Sequence, residues 1–479
     1  MVIMKATNFS MCAAAALMAF TLGVPAPGRA AEQANPDQLL FPNATGVART
    51  LHTSGSIDGG NAFFQPLGTN GRSCGTCHQA SEGWTVTPAG LKERFLRSKG
   101  LDPIFRLNDG ANSPNANTST YRARREAFSM LLDKGLIRVG IGIPDNAEFE
   151  LVNVDDPYGH ASSRELSLFR RPLPATNLGF LSTVMWDGRE TFADDTSKEC
   201  VVGTAKCFAS MHFDLLDQAN AATLGHAQAA TPLTPDQRNE IVSFEMGLTT
   251  AQIFDKDAFS LTAQGARGGP EALLSQSFYF GVNDVVFGDY RTGASFTSKV
   301  FNLYDAWVSP LPEPGETGRL IEARRAVARG QDLFNTKSIT ITNVKGLNDD
   351  LSVPVLHGTC TTCHDTPNVG HHSIPAPLDI GLTDASRRTP DMPLYTLRNK
   401  STGETTQTTD PGRALITGKW RDIGRFKGPI LRAVATRAPY FHNGFAADLE
   451  AVVNFYNDRF DIGFTDQERR DLVAFLRTL

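Results

Sequence analysis

Beyond its first thirty residues this chain has no apolar run approaching the ~20 residues a membrane-spanning helix needs. It also has no basic block: 46 Lys and Arg are outnumbered by 51 Asp and Glu, for a formal net charge of −5. Nucleic acid is therefore not an expected partner, since neutralising phosphates takes clustered cations. Strand-like alternation is scarce, and no dense acidic loop suggests a calcium site. Cysteine is sparse, 7 in 479 residues, which excludes a disulfide scaffold. With 41% hydrophobic and 20% charged residues, the chain has material for two or three domains with cores and is not disordered.

The first thirty residues read as a leader. Lys5 gives a positive start, Met11 to Val24 an apolar stretch too short to cross a bilayer, and Gly28-Arg29-Ala30 a small-residue cleavage site. Export is expected, to the periplasm or beyond, after cleavage near Ala30. Cys12 leaves with the leader.

Of the remaining six cysteines, four form two identical frames, Cys74-Gly75-Thr76-Cys77-His78 and Cys360-Thr361-Thr362-Cys363-His364. Two thiols two residues apart can add to the vinyl groups along one porphyrin edge, and the adjacent His can then ligate the iron. A zinc knuckle would need the two pairs close together, and a redox Cys-x-x-Cys has no need of the His. The frames thus imply two covalently attached haem c groups, on Cys74, Cys77, Cys360 and Cys363, with His78 and His364 as iron ligands. Cys200 and Cys207 are left to close a small disulfide loop in an oxidising compartment.

The two halves carry similar blocks. Arg171-Pro172-Leu173-Pro174-Ala175-Thr176-Asn177 leads to Trp186-Asp187-Gly188-Arg189, and Lys427-Gly428-Pro429-Ile430-Leu431-Arg432-Ala433 leads to Pro439-Tyr440-Phe441-His442-Asn443-Gly444. Equal spacing inside the blocks and helical stretches at Leu215–Ala222 and Leu449–Tyr456 read as an internal duplication. Thr234-Pro235-Asp236-Gln237 and Thr465-Asp466-Gln467-Glu468 are helix starts with reciprocal caps, ahead of Ile241, Phe244 and Leu248 and of Leu472, Val473, Leu476 and Leu479. Glu322 to Phe334 is a third amphipathic helix. Ser338–Val344 is the best strand, a hairpin arm, and Pro310 to Gly318 is the linker. Residues 100–165 are turn-rich and read as an insertion over the first haem. The expected fold is mainly α with long loops and little strand.

These blocks, with Arg329-Gly330-Gln331-Asp332-Leu333-Phe334 before the second frame, resemble the bacterial di-haem cytochrome c peroxidase superfamily, which includes MauG-type proteins. The resemblance covers most of the mature chain. It implies two cytochrome-c-like haem domains, 31–310 with the insertion at about 100–165, and 311–479. It further implies a reactive iron in the N-terminal domain, a C-terminal haem that passes electrons, and Trp186 as relay between them. A calcium ion between the domains also occurs in that superfamily.

On the distal sides the chain departs from that pattern. Gln218-Ala219 matches the family's Gln-Ala, but the acid expected ten residues after the Gln is Gln228, which cannot shuttle a proton. His226 is the replacement candidate; it is open to roles as acid/base, iron ligand or structural residue. At the second haem the family's Met or Tyr ligand is Gly424, leaving Met392, His371, His372 or Lys419 as sixth ligand, or a five-coordinate iron. The leading expectation is peroxide reduction through His226, Gln218 and Trp186, with hydrogen peroxide or another small oxidant and a small periplasmic donor such as a cytochrome or cupredoxin. The alternatives are a haem oxygenase or oxidase acting on an organic or protein substrate, and a non-catalytic di-haem electron carrier.

Overall fold

The computed structural model describes residues 39–191 and 206–479. The leader, its cleavage site and the expected Cys200–Cys207 disulfide lie outside the described residues.

Both capped helices start where the sequence places them. Thr234 accepts from the Gln237 amide while Gln237 reaches back to the Thr234 amide, opening Pro235–Gly247. Thr465 and Glu468 repeat the arrangement at Asp466–Leu476, so two otherwise orphaned N–H groups are satisfied at each end. The third amphipathic stretch lies inside Gly318–Thr336, which packs along Asp466–Leu476. Gly330 permits that approach: a Cβ there would lie 2.0 Å from the Asp471 carbonyl oxygen. Beside it the Arg329 guanidinium donates to both Asp471 carboxylate oxygens at 2.7 and 2.9 Å.

Helix is the larger class, at 32%, but strand reaches 17%, which corrects the expectation of little strand. Leu40–Asn43, Gly46–His52, Leu248–Asp255 and Phe259–Ser260 form a four-stranded antiparallel sheet. Thr405–Thr408, Leu394–Asn399 and Phe149–Asp155 form a three-stranded one. The reason they were hard to read is burial on both faces. Leu166–Arg170 is buried at every position and Leu248–Asp255 at most, so neither shows the alternation of a half-exposed strand. The hairpin arm is where expected: Ile339–Thr342 pairs antiparallel with Val355–Gly358.

Residues 100–165 are tied to the C-terminal half. Phe149–Asp155 pairs with Leu394–Asn399, and Lys134 bridges to Asp391 at 2.6 Å. Around the first Cys-x-x-Cys-His turn, Phe63, Trp84, Ile241 and Phe244 form one core cluster. Phe301, Tyr304, Trp307, Phe334 and Phe475 form another at the second, which also draws in Ala258 and Leu261.

The duplication is visible in the backbone. Asn177 and Ala433 both sit in the left-handed region, at φ 61° and 59°, each opening a 3-10 turn. Their amides donate to the carbonyls of Leu248 and Leu479, at 3.0 and 2.9 Å. Met185 and Phe441, and Gly188 and Gly444, repeat the positive φ values, and the bridges Val184–Glu190 and Tyr440–Ala446 close equivalent turns. The two turns face each other reciprocally. Arg171 donates its amide to the His442 carbonyl at 2.7 Å, and Lys427 donates its amide to the Trp186 carbonyl at 2.8 Å.

Candidate redox site: two cavities sharing one tryptophan

Each Cys-x-x-Cys-His frame opens as a 3-10 turn, Cys74–Thr76 and Cys360–Thr362, capped through Thr76 and Thr362. The turn brings both thiols and the following imidazole to the wall of one cavity. The first cavity holds Cys74, Cys77 and His78; the second holds Cys360, Cys363 and His364.

The donor chemistry in each cavity suits a c-type haem. Burial pushes all four thiols up, toward the neutral SH form. His78 Nδ1 lies 3.0 Å from the Trp84 carbonyl, and His364 Nδ1 lies 2.8 Å from the Gly370 carbonyl. A carbonyl can only accept, so Nδ1 carries the proton in both rings, leaving each Nε2 lone pair for iron. Burial lowers both imidazoles, which keeps them neutral as ligation requires.

One residue lines both cavities: Trp186. Its Nε1 donates to the Arg171 carbonyl at 2.7 Å, and its ring meets the His442 ring edge-on at 6.1 Å. His442 lines the second cavity and stacks on Phe426 at 4.0 Å, 14° from parallel. Burial pushes the His442 imidazole down to about 4. The next residue, Asp187, anchors this turn: Arg170 donates to Asp187 at 2.5 Å and bidentately to Asp410 at 2.7 and 2.8 Å, all buried. Burial raises the Asp187 carboxyl, and the Arg170 and Arg189 guanidinium groups outweigh it, holding it below the usual carboxylate range.

The first cavity carries a cluster of Arg72, Asp109 and His226. His226 Nδ1 lies 2.5 Å from Asp109 Oδ2, and Arg72 is hydrogen-bonded to the other Asp109 oxygen; all three line the cavity. Burial pushes the Asp109 carboxyl up, but the His226 and Arg72 hydrogen bonds overcome this and keep it low, hence ionised. A carboxylate behind Nδ1 fixes the imidazole orientation, the arrangement by which a histidine is made a directed acid or base. Gln218 lines the same cavity from the Lys206–Gly225 helix. Arg72, Asp109 and Glu245 were missed by sequence reasoning. Arg72 stands two residues before Cys74, but Asp109 belongs to an ordinary Asn-Asp-Gly turn and Glu245 to a helix, with no spacing to link them.

No protein-family model matches the chain. A stretch of 139 residues is 32% identical to the cytochrome-c peroxidase IdrP1 of Denitromonas iodatirespirans, spanning 25% of this chain and 36% of that protein. Another of 121 residues is 32% identical to the cytochrome c551 peroxidase of Nitrosomonas europaea, spanning 25% and 30%. The chain thus matches about a third of the length of these curated relatives. Over those stretches the chain is similar to bacterial cytochrome-c peroxidases. Among solved structures, a MauG-like protein associated with microbial copper homeostasis aligns over 87% of the chain and 87% of its own, at 16% identity and a TM-score of 0.35. A variant of the di-haem peroxidase BthA from Burkholderia thailandensis aligns over 93% and 95%, at 17% identity and 0.30. Overlaps this loose carry no residue correspondence.

Against the superfamily pattern, Gln228 is exposed and turned away from the cavity, its carbonyl accepting from the Thr69 hydroxyl at 2.7 Å. His226, two residues earlier, is the side chain that reaches the wall. For the second cavity, Met392 packs with Met130, Leu136 and Phe169, and Lys419 lines a different cavity. His372 does line the second cavity, 3.1 Å from Asp365, whereas His371 is buried off that wall. Among the described residues no group of three or more His, Cys, Asp or Glu side chains is arranged to hold a metal ion. No helix among them is long and apolar enough to cross a membrane.

Proposed function

We propose that this protein is an exported di-haem c-type oxidoreductase that reduces hydrogen peroxide, or another small oxidant, at its N-terminal cavity. Residues 31–310 and 311–479 are the two haem-holding halves in this reading. Cys74, Cys77 and His78 would hold one haem, and Cys360, Cys363 and His364 the other. Haem iron, when bound, supplies the one-electron chemistry. Peroxide reduction consumes two electrons and two protons and yields two waters. His226, fixed by Asp109, takes the proton from one peroxide oxygen and returns it to the other. Arg72 keeps Asp109 ionised throughout, and Gln218 offers a neutral amide to the bound oxidant. Trp186, in the walls of both cavities, carries the electron between them. The donor is a small periplasmic cytochrome or cupredoxin.

The observation that carries this reading is the Asp109–His226 pair in the wall of the His78 cavity. It supplies the acid/base group that Gln228 does not. The test is turnover of peroxide by half-reduced protein with a reduced soluble cytochrome, alongside absorption and electron-paramagnetic-resonance spectra. The expected result is two haem signals, one five-coordinate, and turnover lost in His226→Gln. Absence of turnover with both irons six-coordinate would overturn it.

A second reading, oxidation of an organic or protein substrate, draws on the same departure. With Gln228 in place of the family acid, the cavity lacks the usual peroxide-cleaving carboxylate. Product formation from added substrate with oxygen or peroxide separates the two.

A further inference from the structure

The duplicated halves invite a residue-by-residue comparison of their cavities, and one exchange stands out. The capped helices Pro235–Gly247 and Asp466–Leu476 are equivalent: their caps are Thr234 and Thr465, and they end by receiving the Asn177 and Ala433 amides at Leu248 and Leu479. Along them Ile241 matches Leu472 and Phe244 matches Phe475, apolar for apolar. The next cavity-facing position is Leu476 in the second helix and Glu245 in the first, and each lines its own cavity.

Glu245 is 6% exposed, and its Oε2 is buried with no hydrogen-bond partner. A carboxyl left so in a core costs several kcal/mol if ionised, and replacement by an apolar residue such as the leucine opposite would remove that cost. Retaining it costs stability without local return, the pattern of a group kept for chemistry. Burial pushes it up to about 8, and it also acts on the Cys74 thiol as a nearby negative charge.

Other titratable groups stand on the surrounding elements: His52 on the strand Gly46–His52, Asp214 and Asp217 on Lys206–Gly225, His226 just past that helix, and Arg238 and Glu240 on its own helix. The attachment turn adds Cys74 and His78, and Arg72 and Asp109 stand in the shared cavity wall. Burial is what governs Glu245; none of these groups relieves it by ion pairing.

We infer that Glu245 is the proton-holding group of the first cavity, taking up one proton from solvent when that cavity accepts one electron and releasing it on reoxidation. The inference rests on the two-haem reading above. Each reduction removes one positive charge at the metal, and the carboxylate near it then gains a proton, so charge in the buried cavity is conserved. The electron comes from a one-electron reductant and the proton from bulk water. The second cavity has Leu476 at this position, and its wall instead carries the ionisable groups Lys427 and His372.

The test uses the haem-loaded full chain, titrated potentiometrically at a series of pH values with each haem followed by its own absorption. The first-cavity potential is expected to fall with pH, one proton per electron around pH 8. Glu245→Gln and Glu245→Leu should abolish that slope, and Glu245→Asp should retain it. A slope that survives in Glu245→Gln would overturn the assignment and move the proton to His226. A flat wild-type profile would also overturn it. Should the variants fail to load haem, the reduced-minus-oxidised infrared spectrum of the unaltered protein decides. A new protonated-carboxyl stretch supports the proposal, and its absence sinks it. Failure of the two-haem reading looks different: no pair of haem signals to titrate at all.

Discussion

The two cavities share a scaffold and differ in what points into them. Both have a Cys-x-x-Cys-His turn whose imidazole donates Nδ1–H to a carbonyl six residues on, and both carry a turn with the same positive-φ positions. The walls then diverge. The first carries Arg72, Asp109, His226 and Glu245, and the second carries Lys427 and His372 beside an apolar face of Ile339, Ile341, Leu449 and Leu476. Trp186 in one turn is matched by His442 in the other, and the two rings meet at the join. The same backbone therefore presents different ionisable side chains to its two cavities. Buried away from solvent, each such group is worth far more than in water.

The largest expected effect tests the shared scaffold. Replacing Cys74 and Cys77 by Ser should leave one covalent haem per chain, and so should replacing Cys360 and Cys363, by reduced pyridine spectra. Unequal loss would break the equivalence of the two turns. The difference in walls is probed next. Asp109→Asn and His226→Gln should each lower peroxide turnover by about a hundred- to ten-thousandfold, the usual reach of a general acid/base, with the second haem's spectrum unchanged.

The join between the cavities is held by Arg170. Arg170→Ala leaves Asp410 buried without its cation and Asp187 with Arg189 alone, and should cost about 3–5 kcal/mol in denaturant unfolding. Because Asp187 is held below its unfolded value, its contribution is present above the ordinary carboxylate range. It is lost as pH falls through the lowered value. Wild type should therefore weaken on acidification, whereas the variant, with Asp410 uncompensated, should gain stability relative to wild type. The smallest effect compares the caps: Thr234→Ala and Thr465→Ala should each cost about 1 kcal/mol. Equal values would sharpen the duplication, and unequal ones would show that tertiary packing has taken over one helix start.

Much of this was legible in the chain. Caps, attachment frames and the paired blocks are local: neighbouring residues suffice to specify a 3-10 turn, a helix start or a positive-φ corner. Strands buried on both faces were not legible, because Leu166–Arg170 carries no alternation to read. Nor was the pairing of Phe149–Asp155 with Leu394–Asn399, which joins a supposed insertion to the far half. Of the site residues, Trp186, Gln218 and His226 could be named from motif spacing, and all three reach the first cavity. Asp109, Arg72 and Glu245 could not, since nothing in their own neighbourhoods marks them.

The sequence by itself determined where the two Cys-x-x-Cys-His turns form and that the chain repeats itself, since thiol, imidazole and cap lie within a few residues of one another. Only the tertiary structure decided which side chains would face those sites. It sent Gln228 to the surface, Met392 into an apolar cluster, and His226 onto Asp109 from 117 residues away. Long-range packing chooses such partners because a buried charge must find its counterpart wherever the fold brings one close.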